Sequence, residues 1–190
     1  MIKTWLQTHW VAGALFMAGL QLLLVPFFAA DHALLMVFLA SPLYMLHQLE
    51  EHWGDRFRSY VNKTVFGGVE ALTVADVLWV NLPGVWGLNI LSLYAAGAFG
   101  VGWGLSAAYL ILLNGIAHVG MAAHFRGYNP GLVTGAFCFI PFAIISFLVI
   151  PATPVQHFVG LAVSIVIHAS IVVLVKRNAA YGRRPVMPRH

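Results

Sequence analysis

The stretch HALLMVFLASPLYMLHQLEEH, residues 32–52, is an apolar run that ends in two adjacent carboxylates and a histidine. Its length matches the roughly 20 residues that an α-helix needs to cross a bilayer. Glu50 and Glu51 are two of only six acidic residues in the whole chain. A carboxylate at membrane depth is costly unless it holds a partner, a proton or a metal, so this cluster is the first candidate for chemistry.

The composition of the chain is that of an integral membrane protein. Of its 190 residues, 61% are hydrophobic and 8% are charged, whereas a typical soluble domain has about 25% charged residues. The length suits a single domain, residues 1–190.

The one cysteine, Cys138, excludes an intrachain disulfide and a cysteine-based metal site. Basic residues near the C-terminus predict a cytoplasmic membrane flank and no nucleic-acid binding. They are Lys176, Arg177, Arg183, Arg184 and Arg189.

Six apolar runs predict an all-α fold, a single bundle of six transmembrane helices. Each run is close to the length that a bilayer requires. We expect the spans at about 8–28, 32–52, 70–93, 99–124, 132–150 and 155–175. The sequence Asn81-Leu82-Pro83-Gly84 falls inside the third run. Because proline cannot continue a regular helix, we expect a kink or a break there.

The basic residues fit one orientation of these helices. If the N-terminus is cytoplasmic, all ten lysine and arginine residues lie on the cytoplasmic side of the six predicted spans. This distribution agrees with the positive-inside rule. We therefore expect a multi-pass protein of the inner (plasma) membrane, surrounded by the lipid bilayer, with both termini in the cytoplasm.

Polar residues on three of the predicted helices are expected to meet in one layer. Glu51, His118 and His168 each precede a basic residue at a helix end by five to eight positions. That offset is about 7 to 12 Å along a helix axis, so all three fall in the cytoplasmic half of the membrane. His47 and Glu51 are spaced i, i+4 and share one face, which is how a single helix supplies two metal ligands.

These residues predict a metal site. The expected ligands are His47, Glu51, His118 and His168. Nitrogen and carboxylate ligands without sulfur suit a divalent zinc or iron ion. We expect Glu50 to be a further ligand or the general acid/base, and Asn114, four residues before His118, to orient that imidazole or to be a weak ligand.

Several other polar residues are left open or are expected elsewhere. His52 is at i+5 from His47, so we expect it to face away from the site, at the membrane interface. Asp76, Glu70 and His124 are near enough along the chain to join the site, and the sequence does not decide whether they do.

The same residues also permit less specific interpretations. Histidines inside membranes often form hydrogen bonds between helices, and His118 with His168 is a possible pair of haem ligands. Glu50 and Glu51 could instead pair with Arg56 or Arg58 at the interface. A haem site would leave the two carboxylates unexplained, so the metal-ion site remains the preferred hypothesis.

Three short motifs occur in order along the chain. They are His47-Gln48-Leu49-Glu50-Glu51, Asn114-Gly115-Ile116-Ala117-His118 and Tyr128-Asn129-Pro130-Gly131. This series of HxxEE, NxxxH and YxPG resembles the HXXEE-motif family of bacterial integral membrane proteins, over roughly residues 34–170. The resemblance implies that His47, Glu50, Glu51, Asn114 and His118 are site residues. It implies no mechanism and does not bear on His168.

The sequence therefore predicts a membrane-embedded, metal-dependent enzyme, hydrolytic or oxidative, that acts on a lipid or lipophilic small molecule. The substrate is expected to enter near Pro83-Gly84 or the 127–131 turn. An alternative is a proton- or metal-coupled transporter of a small solute, which would use the same buried groups. The lack of an inverted repeat in the sequence disfavours it. A third hypothesis is an assembly factor whose polar groups join helices.

Overall fold

In a computed structural model, the chain is described over residues 2–182, with side chains from residue 9 onward. Throughout this part of the chain the regular structure is helical, and strands are absent. The α-helices, in chain order, are α1 (Ile2–Leu22), α2 (Val25–Phe28), α3 (His32–His52), α4 (Arg56–Tyr60), α5 (Val74–Trp79), α6 (Gly87–Phe99), α7 (Leu105–Phe125), α8 (Leu132–Thr134), α9 (Ile140–Val149) and α10 (Pro154–Gly182). The predicted all-α class is confirmed. Arg183, Arg184 and Arg189 of the predicted basic flank lie outside the described residues.

Short π-helical segments join several of these helices end to end. Five helical stretches are long and apolar enough to cross a membrane, and they suggest a membrane protein. They are His32–Val65, Val74–Phe99, Val101–Phe125, Leu132–Val149 and Pro154–Gly182. The first of them is interrupted at Gly54 and Asp55, which have positive φ angles. The remaining predicted span, 8–28, corresponds mainly to α1, in which the residues with described side chains, His9–Leu22, form an apolar helix. The number of six spans stays a prediction.

Of the kink or break expected in the third span, the break is absent from the described residues. Pro83 lies inside a π-helical segment, Val80–Trp86, and the helix continues on both sides of it. A π turn is wider than an α turn, so it accommodates a residue that cannot donate a backbone hydrogen bond. The helix of this third span begins at Val74, four residues after the predicted start. Thr73 and Asp76 form a capping box there, which starts the helix.

The helices α3 and α7 occupy the centre of the fold. The helix α3 packs against α1, α6, α7 and α9, and α7 also packs against α10. A cluster of buried apolar residues fills the space between them, including Tyr44, Leu110 and Phe139. The interior faces of α3 and α7 therefore lie opposite each other, and these two helices carry the HxxEE and NxxxH motifs.

Glycine allows a close approach beside the second motif. A Cβ atom on Gly115 would lie 2.8 Å from the carbonyl oxygen of Gly135, which is closer than real Cβ atoms come to such an atom. The absence of a side chain therefore lets α7 pack directly on the backbone that leads into α9. This contact holds the 128–134 segment against the interior end of α7.

Candidate metal centre

The helix α3 presents His47 and Glu51 to the protein interior from one face. Both are buried, with 1% and 5% of their surface exposed. The Nε2 atom of His47 lies 3.5 Å from Oε2 of Glu51. This is the i, i+4 pair that the helical spacing predicted.

A second imidazole reaches the same carboxylate from α7. His118 is 1% exposed, and its Nε2 atom lies 3.5 Å from the other oxygen of Glu51, Oε1. The ligand atoms of His47, Glu51 and His118 all lie within 4.8 Å of one another. The structure thus brings together three of the four predicted metal ligands, in a group that could hold a metal ion.

The protonation of His47 is determined by a chain of two hydrogen bonds. Its Nδ1 atom lies 2.6 Å from Oγ1 of Thr134, and that hydroxyl donates its single proton to Oε2 of Glu50, also at 2.6 Å. The hydroxyl must then accept from His47, so Nδ1 of His47 carries the ring proton. In the neutral imidazole, Nε2 is left with a lone pair directed towards the group.

Asn129 determines in the same way which ring nitrogen of His118 carries the proton. Its Nδ2 atom donates to the backbone oxygen of His118 at 2.9 Å, which fixes the orientation of the amide. The Oδ1 atom then accepts from Nδ1 of His118 at 2.7 Å. The Nε2 atom of His118 therefore also has a free lone pair, and a fixed second hydrogen bond of this kind is typical of histidines that bind metals.

The distances in the group fit a metal better than direct hydrogen bonds. The Nε2 atom of His47 is buried and has no hydrogen-bond partner among the described residues. Buried polar atoms without partners are rare in folded proteins. The two N–O separations of 3.5 Å are long for hydrogen bonds. They are close to the roughly 3.3 Å that separates two ligands of a tetrahedral metal with bonds of about 2.0 Å.

Gly131 closes one side of the group. A Cβ atom at this position would lie 2.7 Å from Nε2 of His118 and 2.9 Å from Cε1 of His47. Its backbone also has a positive φ of 97°, which favours glycine. Two independent reasons therefore require a glycine at the end of the YxPG motif, and the space it leaves lies directly against both imidazoles.

Glu50 is not a member of this group. Its carboxylate accepts hydrogen bonds from the Tyr128 hydroxyl at 3.0 Å, from the backbone nitrogens of Val133 and Thr134 at 3.0 and 2.7 Å, and from the Thr134 hydroxyl. It thus caps the start of the helix that runs from Leu132 to Val149. Burial and the neighbouring Glu50 carboxylate raise the pKa of Tyr128, so the phenol keeps the proton that it donates. The general acid/base role of Glu50 stays a prediction.

His52 lies beside the site, contrary to the expectation that it faces the membrane interface. Its Nε2 atom is 3.1 Å from Oε2 of Glu51, and only 7% of the residue is exposed. The expectation assumed that α3 continues as a regular helix. Instead α3 ends at His52, and the ring turns inward and packs 5.0 Å from that of Trp10.

A buried amide network supports this side of the site. Gln48 donates to Oδ1 of Asn81 at 2.8 Å and accepts from the Trp86 indole at 2.9 Å. Asn81 in turn lies 3.2 Å from Nε2 of His52. These hydrogen bonds join α3 to a different helix, so the helical spacing within either one does not predict them.

His168 and Asn114 lie next to the group without joining it. The Nδ1 atom of His168 donates to the backbone oxygen of Ser164 at 2.9 Å, and its ring lines a cavity together with Glu51 and His118. Asn114 lines the same cavity, and its Oδ1 atom is buried without a partner among the described residues. The residue that orients His118 is Asn129.

The residues that the sequence left open have other partners. Asp76 caps α5 and accepts from Asn178 at 3.0 Å. Glu70 pairs with Arg58 at 3.1 Å, and the His124 ring packs on Phe125. The alternative pairing of Glu50 and Glu51 with Arg56 or Arg58 is not among the ion pairs of the described residues, where Arg58 contacts Asp55 and Glu70.

A cavity of about 270 Å³ adjoins the group. Its walls are mostly aliphatic and aromatic side chains of α3, α5, α7 and α10, together with the π-helical segment Val80–Trp86. Glu51, His52 and His118 form part of its polar side. Small-molecule sites are commonly apolar clefts with a few polar groups, of about 300–1,000 Å³, and this cavity lies just below that range.

Comparison with known proteins identifies a family and no function. A family model described as "Protein of unknown function with HXXEE motif" matches residues 38–146. The matched stretch contains His47, Glu51 and His118, and also Asn129 and Thr134, which orient the two imidazoles. No curated protein and no solved structure matches the chain.

Proposed function

The chain belongs to the protein family of unknown function with the HXXEE motif, and we propose that it is a metal-dependent enzyme embedded in a membrane. The observation that carries this proposal is the buried Nε2 atom of His47, which has no hydrogen-bond partner in the described part of the chain and faces a carboxylate and a second imidazole. A divalent cation would satisfy all three side chains at once. Without a cation, the two lone pairs and the carboxylate of Glu51 face one another in a buried site at a free-energy cost.

Zinc or iron fits the donor set of this centre. Two imidazole nitrogens and one carboxylate oxygen are the ligands that these ions share, and three protein ligands leave a position free for water or substrate. Bound there, such an ion would act as a Lewis acid on water or on a substrate carbonyl, or would bind oxygen if it is iron. We assign the ligand roles to His47, Glu51 and His118, with His168 as a cavity residue that reaches the ion only if its ring moves.

The cavity beside the centre supports a lipid or lipophilic small molecule as the substrate. Its walls include Leu72, Val85, Leu110 and Ile167, and apolar walls of this kind favour apolar ligands. In the proposed arrangement the substrate lies along the cavity, and its reactive group reaches the open side of the centre.

We further propose that the protein spans the inner membrane six times with both termini in the cytoplasm. The helix α1 would be the additional span. It packs against α3, and α2 lengthens its path across the bilayer. All ten basic residues then lie on one side of the membrane.

Elemental analysis of protein purified in mild detergent tests the metal centre. The wild type should contain close to one zinc or iron per chain, and Glu51→Ala and His118→Ala should contain almost none. The matched control is His124→Ala, which removes an exposed histidine of the same helix and should leave the metal in place. A folded wild type that takes up neither metal would contradict the proposal.

One observation favours the alternative of a proton- or metal-coupled transporter. Asn89 and Ser92, on α6, are buried, and their side-chain polar atoms have no partners within the described part of the chain. Such atoms could hold water molecules along a path through the bundle. Proton or metal flux into proteoliposomes that the His118→Ala substitution abolishes would favour transport over catalysis.

A further inference from the structure

We propose that the cavity beside the metal centre selects molecules whose apolar body carries a hydrogen-bond-donating head group, and that Asn114 recognises this head group. The inference deepens the proposed function, because it takes the group of His47, Glu51 and His118 as the reactive end of the cavity. The recognition itself depends only on protein side chains, so it can be tested separately from the metal.

Asn114 lies on the same face of α7 as His118 and the apolar wall of the cavity. Leu110, Asn114 and His118 are spaced i, i+4, i+8 on α7, and all three line the cavity. Each step of four residues advances about 6 Å along the helix. Asn114 therefore lies one turn from the metal ligand His118 and one turn from the apolar wall at Leu110, where the head group of a bound molecule would lie.

Asn114 also carries an acceptor that is not used by the described residues. Its Oδ1 atom is buried and accepts no hydrogen bond within the described residues. A buried polar atom without a partner costs free energy, and a ligand N–H or O–H group in the cavity would remove that cost. An apolar ligand of the same shape without a donor would leave it in place.

His168, on α10, contributes a second acceptor to the cavity. Its Nδ1 atom lies 2.9 Å from the backbone oxygen of Ser164. A carbonyl oxygen can only accept, so Nδ1 carries the ring proton and Nε2 has the lone pair. The buried oxygen of Asn114 and Nε2 of His168 are both acceptors, so a head group that donates hydrogen bonds suits this part of the cavity.

Tyr44 also lines the cavity, but its hydroxyl can either donate or accept and does not discriminate. A primary amide fits the whole arrangement. Its carbonyl oxygen can approach the metal centre or the Tyr44 hydroxyl, while its N–H groups reach Asn114 and His168. Alcohols belong to the same class, because their oxygen can coordinate while their O–H donates.

The experiment compares two ligands of nearly the same shape, octanamide and heptyl methyl ketone, in which a methyl group replaces the NH₂. Binding to the full-length protein in lipid nanodiscs is measured from the concentration dependence of the unfolding midpoint. The wild type should bind octanamide about tenfold more tightly, the value of one buried hydrogen bond of about 1.4 kcal/mol. In Asn114→Leu, which has a similar volume, the ratio of the two affinities, octanamide over ketone, should fall to about threefold or less.

His168→Phe is the second variant, so the test does not depend on the stability of Asn114→Leu, and it should also reduce the ratio. Ile167→Val, on the apolar wall, is the control and should weaken both ligands equally. A ratio near one in the wild type, or an unchanged ratio in both Asn114→Leu and His168→Phe, would overturn the inference.

Zinc content measured on the same samples separates the two proposals. A wild type that prefers the amide but binds no zinc supports the pocket and contradicts the metal centre.

Discussion

The hydroxyl oxygen of Thr134 lies 2.6 Å from Nδ1 of His47, and this contact determines which ring nitrogen can bind a metal. The hydroxyl donates to Glu50, so it accepts from His47 and leaves the lone pair on Nε2. A surface carboxylate on the outer side of α3 thus controls a buried imidazole one turn away along the same helix, through a residue 84 positions from Glu50 in the chain.

Thr134→Val should weaken zinc binding about 10- to 100-fold, the usual effect of removing the partner of a metal-bound histidine. Valine keeps the shape of threonine but cannot accept from Nδ1 of His47. Thr134→Ser retains the hydroxyl and should bind zinc nearly as the wild type does. Competition with a chromophoric chelator measures both affinities. Equal affinities for Thr134→Val and the wild type would rule out that Thr134 controls the metal-binding nitrogen of His47.

The same variant separates two roles of Glu50. In Thr134→Val, Glu50 keeps its carboxylate and any acid/base function but loses its connection to His47. In Glu50→Ala both are lost, together with the charge that caps the helix after Gly131. If Glu50 acts only by positioning, both variants should lower zinc affinity by similar factors. If it is a general acid/base, Glu50→Ala should also abolish turnover at saturating zinc, while Thr134→Val should not.

Gly131→Ala should abolish zinc binding and destabilise the fold. The added Cβ atom would lie against both imidazoles, and the positive φ of 97° strains any other residue by about 1–3 kcal/mol. The control is Gly127→Ala in the same turn, where the nearest atom is 3.9 Å away. Zinc stoichiometry and thermal unfolding should show a large effect at position 131 and a small one at 127, and the reverse order would contradict the site geometry.

Asn129→Leu should lower both stability and zinc affinity. The substitution removes the acceptor of the His118 Nδ1 proton and the donor to the backbone oxygen of His118. Each buried group left without a partner costs about 1–3 kcal/mol. Asn129→Asp restores only the acceptor, so it should recover zinc affinity more fully than stability. Denaturant unfolding with and without zinc tests this order.

Removal of the metal should lower the unfolding midpoint of the wild type. A ligand that binds only the folded state stabilises it by mass action, and a buried zinc site couples binding to folding. EDTA should therefore lower the midpoint of the wild type and have no effect on Glu51→Ala. An equal effect of EDTA on both proteins would mean that the chelator acts elsewhere.

The sequence predicts the ligands of the centre but not their supports. The helical spacing of His47 and Glu51 is local, and the depth of His118 follows from hydropathy and charge, so these three could be placed together without a structure. Depth alone does not determine which face of α10 carries His168, and the structure places it on the cavity wall. Asn129 comes from a turn, and Thr134 from the first turn of the helix that follows it. The path of this segment depends on tertiary packing, which the spacing of residues along the chain does not predict.

The structure also differs from the sequence-based predictions at His52 and Pro83, and tertiary packing is again the reason. His52 was expected to face outward because an i+5 position on a continuous helix does so, but α3 ends at that residue. The third span was expected to kink or break near Pro83, and it does not break there because a π-helical segment accommodates the ring. Helix ends and turn widths are set by interactions between helices, which a single sequence does not display.

X-ray absorption spectroscopy of the zinc-loaded protein tests the central claim most directly, because it reports the atoms bound to the metal. We predict nitrogen and oxygen ligands at about 2.0–2.1 Å with the outer-shell scattering of two imidazoles, and of one imidazole in His118→Ala. A wild-type spectrum without imidazole scattering, or one that His118→Ala does not change, would contradict the assignment of this buried group as a metal centre.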